Sequence, residues 1–139
     1  MAAHPIHPAL VHFPLGLLLT ATLTDLVGLA APWPEPRFAA LLMALGLFAA
    51  LPAMAAGLYD FRRLDEAHVP HALRHMGAVA VAWLGYSVAL YLRRDALVGD
   101  AEPSIASIAV GLGSAAALAL GGWLGGELVY RYGAGRIAP

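Results

Sequence analysis

The chain has 139 residues, 60% hydrophobic and 12% charged, with a mean hydropathy of +0.72 and a net charge of -1. That is too little charge to clothe a soluble domain of this size, so the chain reads as one compact domain, residues 1–139, immersed in a lipid bilayer. The absence of cysteine excludes disulfides, thiolate metal sites, iron–sulfur clusters and thioether-linked haem, and the near-neutral charge gives no reason to expect nucleic acid.

A helix needs about 20 apolar residues to cross the hydrocarbon. Four segments qualify, at about Pro8–Ala31, Arg37–Tyr59, Pro70–Leu92 and Ser104–Tyr130. The first is too long for the core of a signal peptide, and His and Pro flank it instead of Lys or Arg. It carries one acid, Asp25, near its far end, for which pairing with Arg93 or Arg94 is the leading expectation. Pro32-Trp33-Pro34-Glu35-Pro36 breaks the chain before the second segment. Pro52 interrupts the backbone bonding of that segment. Continuous Ala/Leu runs without alternation argue against a β-barrel. The expected fold is all-α, a four-helix transmembrane up-down-up-down bundle. No internal repeat is evident. Gly121/Gly125 and Gly122/Gly126 in the last helix have small-xxx-small spacing, which suits helix packing, a homodimer or clearance for a cofactor.

Alternation assigns each loop to a side. The amino-terminal side, X, also receives residues 59–69 and the carboxyl end. It carries Arg62, Arg63, Arg74, Arg131 and Arg136, against Arg37, Arg93 and Arg94 on side Y. The positive-inside rule then puts X, with both termini, in the cytoplasm. Tyr59, Tyr130 and Tyr132 mark the X interface, and Trp33 and Tyr91 the Y interface.

All six histidines fall at X: His4, His7 and His12 around the start of the first helix, His68, His71 and His75 around the start of the third. Asp60 and Glu127 reach the same end. Ionisable groups gathered at one depth of a membrane protein point to function. His71 and His75 lie about 6 Å apart along one helix face, whereas His7 and His12 diverge by about 140° if both are helical. Neutral imidazole binds haem iron or a divalent metal ion. A b-type haem needs axial His, an apolar slot, small neighbours and cations for its propionates. His7, His12, His71 and His75 are the expected axial ligands, and Arg62, Arg63, Arg74 and Arg131 the propionate partners. Two bis-His haems are expected, pairing His12 with His75 and His7 with His71. A non-haem site would instead use His12, His71 and His75 with Asp60 or Glu127. A third reading makes the chain a structural or accessory subunit. Met43, Met54 and Met76 read as core fillers, and Trp83, Tyr86 and Trp123 as packing residues.

Several motifs together resemble a known family. They are His7-Pro8, Val11-His12-Phe13-Pro14, Gly57-Leu58-Tyr59-Asp60-Phe61, Arg74-His75-Met76 and Gly125-Gly126-Glu127-Leu128-Val129-Tyr130-Arg131. The chain is similar over nearly its whole length to the bacterial domain-of-unknown-function family 2231. The resemblance implies a small bacterial inner-membrane protein and no particular activity. A looser likeness to four-helix dihaem b-type cytochromes implies haem and electron transfer with quinone or another redox partner. With every His at X, that transfer is expected at one face and not across the bilayer.

Overall fold

The computed structural model describes residues 6–31, 36–99 and 101–133. His4, Trp33 and Arg136 lie outside them. Four helices form an all-α bundle: α1 (Ile6–Ala30), α2 (Pro36–Phe61), α3 (Val69–Leu92) and α4 (Ile105–Tyr130). Their limits fall within two residues of those expected, and each is long and apolar enough to span a bilayer. Short 3-10 turns at Glu66–His68 and Arg94–Leu97 were not anticipated.

The ends are set by local chemistry. Asp65 accepts from the Ala67 amide at 2.9 Å and starts the turn that leads into α3. Pro70 occupies the first turn of α3, where its missing N–H costs nothing. Ser104 caps α4 by accepting from the Ser107 amide at 3.2 Å. Past α4, Gly133 takes φ 69°, the left-handed conformation that ends helices and suits glycine.

The helices pack chiefly as two hairpins, α1 on α2 and α3 on α4, and contacts between the hairpins are fewer. Leu18, Ala21, Met43, Leu47, Tyr86 and Ala89 form the buried centre. Phe13, Phe48, Val81, Leu84 and Trp123 face outward, as lipid-facing side chains must. Met43 fills the core as expected, whereas Met54 and Trp123 are exposed.

The expectation of no internal repeat is corrected by the geometry. Residues 68 positions apart are structurally equivalent. The His7 and His75 rings meet nearly at right angles, with centroids 6.5 Å apart. The Tyr86 hydroxyl reaches the Leu18 carbonyl at 3.3 Å. Arg93 meets Asp25 at 2.7 Å. In each case a residue touches its own equivalent, which happens only beside a two-fold axis. Burial follows the same offset: Pro14 and Ala82, Ala21 and Ala89, Ala39 and Ser107, Ala40 and Ile108, Met43 and Gly111, Gly46 and Ser114 are all buried. Both hairpins start at X, so the halves are parallel repeats about an axis along the membrane normal.

Away from water, an unpaired charge is costly, and the Y end avoids this with a small network. Arg93 donates from one nitrogen to Asp25 and from Nε to the Ser107 hydroxyl at 2.7 Å, and Ser107 donates to the Ala89 carbonyl at 2.8 Å. Midway, the Tyr86 hydroxyl lies 2.7 Å from that of Thr22. Asp25 therefore pairs with Arg93, as the sequence suggested. Arg93→Ala should lower stability by about 3 kcal/mol by stranding a buried carboxylate. The exchange Asp25→Arg with Arg93→Asp should restore only part of that loss: the ion pair is reformed, but the equivalent of Ser107 is Ala39, which offers the moved guanidinium no hydroxyl. Unfolding in mixed micelles at increasing dodecyl sulfate measures both.

Candidate functional site: paired imidazoles at the X end

At the X end each half presents one imidazole in the same setting. His7, in the first turn of α1, lies with Nδ1 2.8 Å from the Ala53 carbonyl of α2. His75, in α3, lies with Nδ1 2.8 Å from the Gly121 carbonyl of α4. A carbonyl only accepts, so Nδ1 is the donor in both rings. Neither Nε2 makes a hydrogen bond among the described residues. A backbone carbonyl holding one ring nitrogen is the arrangement that orients an imidazole for metal binding through the other.

One turn beyond each carbonyl stands a glycine against the ring. A Cβ on Gly57 would meet His7 Cε1 at 3.0 Å, and one on Gly125 would meet His75 Cε1 at 2.9 Å. At Gly125 the approach is closer than a Cβ takes, and at Gly57 it is tight enough that the His7 ring would have to give by a few tenths of an ångström. Gly121 likewise has no room, since its Cβ would meet Val79 at 2.9 Å. The Gly121/Gly125 pair is therefore used inside the chain, while Gly122 faces outward with open space beside it.

His71 is held differently. Its Nε2 lies 3.2 Å from the Leu124 carbonyl and 3.3 Å from Glu127, both acceptors, so its proton sits on Nε2. Glu127 also takes Arg131 at 3.3 Å. The rings of His68 and His71 lie 5.2 and 5.1 Å from that of Tyr132. The second half thus carries a His68–His71–Glu127–Arg131–Tyr132 cluster beside its imidazole. At the place of Glu127 the first half has Tyr59, whose hydroxyl and ring take Arg63.

The expected pairing is corrected. His7 faces His75, not His71, because residues on the axis meet their equivalents. His12 is exposed, five residues further round α1 and turned away from the seam. Asp60 is exposed, as are Arg62, Arg63, Arg74 and Arg131. A compact divalent-metal site from His12, Asp60, His71, His75 and Glu127 does not assemble. Among the described residues no three His, Asp or Glu side chains come within reach of one ion. The residue missed at the sequence level is Ala53, and Gly121 was singled out only for its small size; both act through backbone carbonyls. Their signal was the spacing: each lies 46 residues after its histidine.

The family model described as "Predicted membrane protein (DUF2231)" matches residues 3–138. The chain belongs to this family. No curated protein and no solved structure matches it. The family match and the four apolar helices agree that this is a membrane protein, and both paired imidazoles and their glycines lie within the matched residues.

Gly57→Ala and Gly125→Ala should each push the neighbouring ring off its carbonyl. In 15N-histidine NMR spectra of the protein, the native chain should show two carbonyl-bonded Nδ1–H signals, from His7 and His75, and each variant should perturb one of them.

Proposed function

We propose that this protein is a haem-binding membrane cytochrome, with one b-type haem held between His7 and His75 and electron transfer taking place at face X. The observation that carries the reading is the matched imidazole pair, with Nδ1 fixed, Nε2 unengaged and ring centroids 6.5 Å apart. Two axial imidazoles on bonds of about 2 Å place ring centres about 6 Å apart. Two protein ligands suffice for haem, whereas structural and catalytic ions of the zinc type take three or four. A second haem finds no comparable pair, because His12 is exposed and the Nε2 of His71 is engaged.

The seam between the hairpins is where a flat macrocycle would enter. Fewer residues meet there than within either hairpin, so parting the X end leaves the α1–α2 and α3–α4 packing intact. Arg62, Arg63 and Arg131 are cations of the kind that hold propionates at the headgroup level, whereas Arg74 lines the outer groove between α3 and α4. Bound haem supplies one-electron chemistry; the chain's own residues hold and orient it. Its redox partner would be a quinol dissolved in the bilayer or a protein reaching face X. The Arg excess at X favours the cytoplasmic side of a bacterial inner membrane for that face.

The test is an absorption spectrum of detergent-purified protein from haem-supplied cells, air-oxidised and then dithionite-reduced. A Soret band with sharp α and β bands on reduction is expected. His7→Ala and His75→Ala should each abolish the low-spin spectrum to the same degree, and His12→Ala and His71→Ala should keep it. A colourless, folded, haem-supplied preparation refutes the reading.

A further inference from the structure

The two halves differ sharply on one outer face. At positions 68 apart, the first half has Ile6, Ala9, Leu10 and Phe13, and the second has Arg74, Gly77, Ala78 and Val81. The smaller residues leave a groove between α3 and α4, closed on the α4 side by Leu120 and Leu124, with a volume of about 500 Å³. Its lining is apolar except for Arg74 at the X end. Arg74 is exposed and makes no ion pair among the described residues. From Arg74 to Val81 the groove descends about 10 Å along α3. That is two-thirds of a leaflet whose hydrocarbon is roughly 15 Å deep.

We propose that this groove is a binding site for one anionic phospholipid of the X leaflet, with an acyl chain between α3 and α4 and the phosphate on Arg74. The stem of an arginine so placed lies along apolar surface while its head reaches the headgroups. Its planar guanidinium then meets phosphate oxygens in pairs. A second copy of the chain is a poorer occupant. A two-fold interface centred on this face would bring Arg74 toward its own counterpart, setting like charges together. The site does not rest on the haem reading.

The two halves supply the test variants. Ala78→Leu installs the residue that the first half carries at Leu10 and fills the groove. Arg74→Ile installs the residue found at Ile6, removing the charge and leaving the groove. The full chain is released from nanodiscs of equal phosphatidylglycerol and phosphatidylcholine into native mass spectrometry. One retained phosphatidylglycerol per chain is expected. Ala78→Leu should lose it, and Arg74→Ile should lower the preference over phosphatidylcholine about fivefold. Thermal melts check that both variants fold; if Ala78→Leu does not, Arg74→Ile decides. Equal retention of the two lipids by the native chain, or an unchanged preference in Arg74→Ile, overturns the proposal. A native dimer that Ala78→Leu separates also overturns it and gives the groove to a second copy.

Discussion

Lipid is as apolar as the side chains that face it, so apolar contact alone gives these helices little reason to choose one another over the bilayer. The hairpins touch where α2 meets α3 and α1 meets α4, with Trp83 donating to the Leu47 carbonyl at 3.2 Å, and what fixes their register is the central seam of polar contacts between α1 and α3. Three contacts cross it at three depths: the imidazoles at X, the Tyr86 hydroxyl with Thr22 and the Leu18 carbonyl midway, and Asp25 with Arg93 at Y. His7, Leu18 and Asp25 are spaced by 11 and 7 residues, close to three and two whole helical turns. They therefore stand on one stripe of α1, and their equivalents on one stripe of α3. A slide of one turn between the hairpins would break all three contacts at once. The register of the bundle, and hence the meeting of the two imidazoles, depends on this seam.

Much of the fold was legible because hydropathy alone dictates it. Four apolar runs separated by Pro-rich or charged loops leave little choice of helix, and a lone acid in a span demands a partner, which Arg93 supplies. The convergence of histidines at X followed from topology by simple alternation. The repeat was hidden because its equivalent residues share geometry more than identity. His7 matches His75, Gly57 matches Gly125 and Arg63 matches Arg131, but Leu18 corresponds to Tyr86, and Asp25 to its opposite charge, Arg93. A symmetric axis needs complementary partners where it is crossed, and complementarity erases the likeness that a sequence comparison seeks.

The candidate site was only half legible for the same reason. Alternation brings His7 and His75 to one end, but their meeting comes from the axis, and the groups that hold them are main-chain carbonyls of Ala53 and Gly121. A carbonyl belongs to every residue, so nothing in side-chain chemistry announces it. Glycines 57 and 125 announce it indirectly, since the missing Cβ lets the Cε1 edge of each ring come close to the neighbouring helix. His12 shows the converse. It shares the composition of the cluster, but helical geometry turns it away.

The opposite charges of Asp25 and Arg93 have a consequence for how such a molecule assembles. Two copies of the first hairpin, brought together about the same axis, would bury carboxylate against carboxylate. Two copies of the second would bury guanidinium against guanidinium and tyrosine against tyrosine. Each hairpin is thus mismatched with itself and matched with the other. Joined in one chain, the hairpins meet at a fixed ratio of one to one. Around their shared centre the halves are free to differ, with His71 and Glu127 on one side only, because neither hairpin can be replaced by a second copy of its mate.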